Sequence, residues 1–286
     1  MKKIIEKAAV LIEALPYIQS FQGKTVVVKL GGSAMTSPAC VEGVLRDVVF
    51  MEAVKMKPVV IHGGGNAISL QMKKAGITPR FLHGQRVTDK KVIGIVSKVL
   101  AGINRDLADR IADLGGRAES FCAHENRVMT ARQHFPAELG FVGEVEKVDT
   151  AAIKRVTRTN RVPVIAPLGS DARGRLYNIN GDLAAGAIAG ALKAEKLVFL
   201  TDVEGIMTRD DCSGQKQVLS SLKREEINRM VEEGTIAGGM IPKVTAGLLA
   251  LEQGVKKIHI IDGRIKHSLL LEIFTDKGVG TEIVRE

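Results

Sequence analysis

The chain contains no tryptophan, and only 3% of its 286 residues are aromatic. Its core must therefore be aliphatic, and so few aromatic faces suit it poorly to stacking the bases of a single-stranded nucleic acid. Cysteine is scarce too. Cys40, Cys122 and Cys212 lie far apart in no metal-ligand spacing, and their odd number and scatter suit a reducing, cytoplasmic setting. The amino terminus lacks an apolar stretch followed by a small-residue cleavage site, so no signal peptide is expected. No apolar run approaches the ~18 residues of a membrane helix, so no membrane partner is expected either. Signature motifs are missing as well: there is no G-x-x-x-x-G-K-[ST], no strand-borne G-x-G-x-x-G, no H-E-x-x-H and no G-x-S-x-G. P-loop, dinucleotide-binding, zinc-protease and α/β-hydrolase chemistries lose their usual markers with them.

What is present is ordinary in bulk and basic in balance. Apolar residues make up 45% of the chain and charged residues 26%, with a formal net charge of +9. No block of five like charges occurs. The densest basic stretch, with Lys154, Arg155, Arg158 and Arg161, reads as a solvated helix face rather than a phosphate-binding stripe. A basic enzyme that handles small anions satisfies the same balance, so no nucleic-acid partner is expected.

Hydrophobic periodicity alternates between helix and strand. Ile4, Ile5, Ala8, Leu11, Ile12 and Leu15 form the stripe of a leading helix over 2–20, expected to break at Pro16. Such an arm either packs on its own chain or serves as a dimer handle. Val26-Val27-Val28-Lys29-Leu30 is too short for a helix and predicts a buried strand. Further strands are expected at 59–61, 118–122, 141–148, 163–167, 197–201 and 257–261. Helices are expected over 40–56, 67–75, 89–114 with Thr88-Asp89 as cap, 150–160, 181–194, 222–233 opening at Ser221, and 242–253. The alternation implies βαβ units, hence an α/β fold with a mostly parallel central sheet covered on both faces. Ligands in such folds gather at the carboxyl ends of the strands.

Several polar features fall there. Gly31-Gly32 follows Lys29, so a strand delivers an ammonium to a turn whose backbone can approach a ligand closely. His62-Gly63-Gly64-Gly65 puts consecutive N–H groups between a strand and a helix, a ready anion site where a plain turn would need fewer glycines. Arg86 has the planar fork that clamps a carboxylate, although a lone loop arginine is more often a surface charge. In Asn178-Ile179-Asn180-Gly181-Asp182 one polar residue would suffice as a helix cap, which leaves Asp182 free to anchor cations. Gly238-Gly239-Met240 leads into a helix with Lys243 in its first turn, where the dipole disfavours a cation and a bound polyanion explains it better. Two lysines, glycine anion loops and an orienting aspartate are what phosphoryl transfer asks for, since it depends on positioning and charge neutralisation.

Lys29-Leu30-Gly31-Gly32, His62-Gly63-Gly64-Gly65, Gly84-Gln85-Arg86-Val87-Thr88-Asp89, Asn178 to Asp182, Leu200-Thr201-Asp202-Val203-Glu204-Gly205, and Gly238-Gly239-Met240 with Lys243 resemble, in this order, the amino acid kinase family. Within it the likeness is to the hexameric, arginine-sensitive members that phosphorylate N-acetyl-L-glutamate, and it covers nearly the whole chain. The resemblance implies a three-layer αβα sandwich of the carbamate kinase-like type. It divides the chain into an N-terminal helical arm at 1–22, an acetylglutamate-binding and dimerising lobe at 23–175, and an ATP-binding lobe at 176–286.

It also implies ATP-dependent phosphorylation of the side-chain carboxylate of N-acetyl-L-glutamate, a step of arginine biosynthesis, with Mg2+ held through the ATP phosphates. Lys29 and Lys243 would be the cations on the transferring phosphoryl, with Asp182 organising both. Gly32, Gly64 and Gly65 would hold the acceptor carboxylate and the phosphoryl by backbone N–H. Arg86, Asn178 and Asn180 would grip the α-carboxylate end. Gly31, Asp202, Gly238, Gly239 and Met240 would bind the nucleotide. The acceptor is already ionised at neutral pH, so no protein base is required. L-Arginine is implied as an inhibitor at Tyr17, His259, Glu272 and Gly278, although Glu272 and Gly278 would equally end a helix and form a turn. The implied assembly is a homohexamer, a trimer of dimers, and a PII-type signalling protein stays open as a partner.

Two other functions stay open on the residues. One is a kinase for carrier-protein-linked aminoadipate or glutamate, as in lysine biosynthesis. The other is a non-catalytic arginine sensor, which would have no need of both lysines and Asp182. Departures from the family pattern occur at Asn66, where many relatives carry proline, and at Ala123-His124-Glu125-Asn126, in place of a glycine-lysine-aspartate turn. A third is Gln19-Ser20, where an arginine often ends the arm.

Overall fold

A computed structural model describes residues 2–35, 37–82, 84–122, 126–209, 216–275 and 278–285. At its centre runs an eight-stranded sheet in the order Ser221–Lys223, Thr281–Val284, Lys257–Asp262, Lys196–Thr201, Thr25–Leu30, Lys57–His62, Val162–Ile165, Ala118–Phe121. All neighbours are parallel except Lys257–Asp262 with Thr281–Val284. Alternation along Thr25–Leu30 makes the layers. Val26, Val28 and Leu30 pack with Leu45 and Met51 of the helix Pro38–Ala53, Ile111 of Lys90–Asp113 and Leu269 of Ser268–Phe274. Val27 turns to the opposite face with Ile61 and Phe199, against Ala185 and Ile188 of Gly181–Leu192 and Val244 of Ile241–Glu252. The expected three-layer α/β architecture and its aliphatic core are both present.

The two helices on this second face pack tightly against each other. Gly181–Leu192 and Ile241–Glu252 approach closely because residue 186 has no side chain: a Cβ there would stand 2.6 Å from the Ala246 carbonyl oxygen. That contact sets Asp182 and Lys243, near the starts of the two helices, within reach of each other.

Several expectations need correction. The arm is one uninterrupted helix, Lys2–Phe21, with Pro16 inside it. Proline removes a single N–H donor, and on an exposed helix water can take the freed carbonyl. Ile5, Val10, Ile12 and Leu15 are all exposed along this arm, which touches its own chain at Ser268–Phe274. The helix expected from Ser221 begins at Arg224 instead, because Ser221–Lys223 pairs with Thr281–Val284 as the sheet edge. Pro58 lies inside the strand Lys57–His62 rather than before it. Beside the main sheet, Leu176–Ile179, Val142–Val148, Met129–Gln133 and Leu168–Ser170 close on one another, and only Val142–Val148 was expected among them. Cys212 and the departure at 123–125 lie outside the described residues. Among the described residues no helix is long and apolar enough to cross a membrane.

Candidate active site

Lys29 arrives at the carboxyl end of its strand and Asp182 in the first turn of Gly181–Leu192, where the Lys29 Nζ is 2.7 Å from Asp182 Oδ1. Lys243 comes from the first turn of Ile241–Glu252, with its Nζ 3.3 Å from Asp182 Oδ2 and 3.1 Å from the Gly239 carbonyl oxygen. One carboxylate thus joins two ammonium groups from distant parts of the chain. Burial by itself would raise the Asp182 carboxyl; the charges of Lys29 and then Lys243 outweigh it and hold the group below the usual carboxylate range. The trio carries one surplus positive charge. Asn180 fixes the helix start, its Oδ1 accepting from Asp182 N at 2.8 Å and Leu183 N at 3.3 Å.

The glycine turns meet here. Lys29 folds back over Gly31, so that a Cβ at residue 31 would collide with its ammonium. Gly32 turns at φ +63 beside Asp202, whose Oδ1 lies 3.6 Å from the place of a Cβ. Gly63 N donates to Leu30 O at 2.7 Å, which ties the two turns together. At Gly64 the backbone is extended, and packing is what demands glycine, since a Cβ would lie 2.6 Å from Leu100 Cδ2.

Arg86 is buried, contrary to the surface charge that a lone loop arginine usually is. Its Nη2 donates to Gly65 O at 2.9 Å and to Ser69 Oγ at 2.8 Å, Nη1 reaches Met72 Sδ at 3.2 Å, and the guanidinium lies 4.8 Å over the Phe81 ring. Burial lowers its pKa, and no carboxylate among the described residues pairs with it. Asn178 stands close by, donating from Nδ2 to Thr88 Oγ1 at 3.3 Å. Lys29, Gly32, Gly64, Gly65, Arg86, Asn178, Asn180 and Asp182 line one cavity of about 230 Å³. Lys243 joins it through Asp182. Asp202 and the turn Gly238–Met240, with φ +57 at Gly238, are not on its wall.

Tyr17, His259, Glu272 and Gly278 line a separate cavity of about 490 Å³ between the arm and the sheet. His259 Nδ1 is 2.6 Å from Glu272 Oε1, and Glu272 Oε2 accepts from Val279 N at 2.9 Å. Burial raises the Glu272 carboxyl, but His259, the Val279 N–H and the Lys196 charge together outweigh it and the net direction is down. Gly278, at φ +57, gives the carboxylate room, because a Cβ would come within 3.0 Å of both its oxygens. Sequence reasoning missed Lys196, whose Nζ donates to Glu272 O at 3.3 Å and lies 5.3 Å over the Phe21 ring; burial lowers its pKa. At the start of an apolar strand it passed for a solvated end. Ser69 was missed too, although its i+4 spacing from Gly65 puts both on one helix face.

The chain has clear relatives among known proteins. Residues 24–262 match the model of the amino acid kinase family. The chain is 45% identical to the acetylglutamate kinase of Heliobacterium modesticaldum over 297 aligned positions, covering 100% of both chains. It is 44% identical to that of Methanocaldococcus jannaschii, over 100% of this chain and 99% of the relative. Among solved structures, N-acetylglutamate synthase from Neisseria gonorrhoeae, complexed with coenzyme A and L-arginine, superposes with a TM-score of 0.82 at 28% identity. That match covers 98% of this chain and 65% of the synthase. Giardia lamblia carbamate kinase bound to AMP-PNP shares the fold, with a TM-score of 0.66 over 92% of this chain. With the family pattern matched across most of its length and close kinship along all of it, the chain belongs to the amino acid kinase family.

Proposed function

We propose that the chain transfers the γ-phosphoryl group of ATP to the side-chain carboxylate of N-acetyl-L-glutamate. The observation that carries this is the Lys29–Asp182–Lys243 bridge at one side of a cavity whose other side holds Arg86, a buried cation without a counter-ion among the described residues. Arg86, with Asn178 and Asn180, takes the α-carboxylate end of the acid, which supplies the missing negative charge. Gly32, Gly64 and Gly65 offer N–H groups to the acceptor carboxylate and the phosphoryl. Gly31, Asp202 and the turn Gly238, Gly239 and Met240 hold the nucleotide. The arm at 1–22, the acceptor lobe at 23–175 and the nucleotide lobe at 176–286 divide the work accordingly.

In the transfer, an acceptor carboxylate oxygen forms a bond to the γ-phosphorus as the bridging P–O bond to the β-phosphate breaks, and the electron pair leaves on ADP. Because the acceptor is already an anion, the protein moves no proton. Lys29 and Lys243 neutralise the phosphoryl oxygens, and Asp182 keeps the two ammonium groups apart and aimed. Losing one such preorganised cation raises the barrier by about 3 kcal/mol. Mg2+ neutralises the nucleotide phosphates when bound. Among the described residues no group of three acidic, histidine or cysteine side chains could hold a metal.

The second cavity takes L-arginine as a feedback inhibitor. Glu272 supplies a buried carboxylate for a guanidinium, and a structural relative is complexed with the same amino acid. The exposed apolar residues of the arm make it the contact between dimers in a hexamer, whose mass by light scattering would be six times 30.7 kDa.

A hydroxylamine trap for acyl phosphate, run with ATP, Mg2+ and candidate acids, tests the activity. Turnover with N-acetyl-L-glutamate and near-complete loss in Lys29→Ala are expected. Turnover with carrier-linked aminoadipate alone, or with no acid, overturns the assignment.

A further inference from the structure

The His62 side chain is fully buried beneath the glycine turn and outside the cavity wall. Its Nδ1 lies 2.7 Å from Gly63 O and its Nε2 lies 3.1 Å from Asn104 Nδ2. Asn104, on the helix Lys90–Asp113, is equally buried; its Nδ2 also donates to Val164 O at 3.0 Å, while its Oδ1 accepts from Ser120 Oγ. These bonds allow one consistent placement of the protons. Val164 O can only accept, so it takes the Nδ2 side of the Asn104 amide; Oδ1 is left facing Ser120, whose hydroxyl donates to it, and the amide has a single orientation. Its Nδ2 then donates to His62 Nε2, which must be the bare ring nitrogen. The ring proton sits on Nδ1 and goes to Gly63 O. Burial keeps the ring neutral by lowering its pKa to about 4.

A trans peptide points its C=O and N–H in opposite directions. Holding the Gly63 carbonyl on the His62 side therefore turns the Gly64 N–H away from it. Gly63 and Gly64 line the 230 Å³ cavity, and the Gly64 N–H has no acceptor among the described residues. With glycine on both sides this peptide could flip at little conformational cost, and the flipped form would show an anion a carbonyl oxygen instead of a donor. We propose that Ser120, Asn104 and His62 form a hydrogen-bond relay that fixes the Gly63–Gly64 peptide with its N–H toward the acceptor cavity, which makes His62 a positioning residue for the transfer. The identity of the anion rests on the acetylglutamate assignment; the relay itself does not.

Two measurements test it. Long-range proton–nitrogen spectra of the substrate-free protein read the tautomer, with the His62 proton expected on Nδ1. A wild-type proton on Nε2 overturns the relay whatever acid is phosphorylated. In steady-state kinetics His62→Leu should lower kcat about 100-fold with KM for ATP unchanged within about twofold. His62→Asn, whose Nδ2 stands near the place of the ring Nδ1, should recover most of that loss. Ser120→Ala, at the partly exposed end of the relay, should lower kcat by roughly threefold to tenfold without unfolding the protein. Equal rates in His62→Asn and His62→Leu, or wild-type kcat in Ser120→Ala, overturn the proposal. If His62→Leu does not fold, the tautomer and Ser120→Ala decide. A wild-type enzyme that traps no acyl phosphate from N-acetyl-L-glutamate would instead sink the substrate assignment and leave the Nδ1 proton in place.

Discussion

The Lys29 ammonium occupies the space in which residue 31 would carry its Cβ, so the glycine of the first turn and the cation beside Asp182 share one volume. Residue 31 needs no positive φ, and the obstructing atoms are the far end of a flexible side chain. Gly31→Ala should therefore fold, with a melting temperature within a few degrees of wild type. Its ammonium, pushed off Asp182 Oδ1, should leave kcat about 10–100-fold lower. A kcat close to wild type would show that the cation tolerates displacement.

Arg86 spends Nη2 on Gly65 O and Ser69 Oγ and rests Nη1 on Met72 Sδ, which holds its guanidinium at the cavity wall. Lysine cannot do both. In Arg86→Lys the KM for N-acetyl-L-glutamate should rise about 10–100-fold, the scale of a lost charge-assisted hydrogen bond. KM for ATP should stay unchanged, and an equal rise in both would reduce Arg86 to a structural pin.

Acid should destabilise the protein through His62. Burial lowers its folded pKa to about 4 from 6.5, so between those values the unfolded chain binds a proton that the folded chain refuses. Stability then falls as pH drops through that window, by about 3 kcal/mol in all. Asp182 acts in the same direction at lower pH. Its folded carboxyl lies below 3.8, and the stability it contributes is complete above that value and lost as pH falls through the folded one. Urea unfolding across the window should give a shallower pH slope for His62→Asn than for wild type. Identical slopes would remove His62 from the account.

Glu272 presents the buried carboxylate of the second cavity. The ratio of rates with and without millimolar L-arginine should fall well below one in the wild type and stay near one in Glu272→Gln. Inhibition of equal depth in both proteins would move the inhibitor elsewhere.

Much of the fold was legible because the central strands are short β-branched runs and the motifs sit at their carboxyl ends. Val26 to Leu30 announces a strand by itself, and Asp182 among three polar residues announces more than a cap. Ser221–Lys223 does not, since its partner Thr281–Val284 lies some sixty residues on and pairing rather than propensity makes it a strand. Leu168–Ser170 and Leu176–Ile179 pair with each other across a short turn, and they are hidden because runs of 3 and 4 residues are too short to show an alternation. Burial is equally silent in one dimension. Arg86 reads as a surface charge until Phe81, Ser69 and Met72 close around it. His62 reads as part of a motif until Asn104, forty-two residues away, fixes its proton.

The strands Thr25–Leu30 and Lys196–Thr201 pair side by side from Val26↔Lys196 to Leu30↔Leu200. One presents Lys29 and the other runs out beside Asp202, so the proposed acceptor and nucleotide sides stand on adjoining rows of a single slab. The spacing between them is set by the hydrogen-bond ladder of the sheet, and a slip of the Lys29 strand by one residue would carry its ammonium to the opposite face. Their alignment is a property of the register, not of the loops that decorate it.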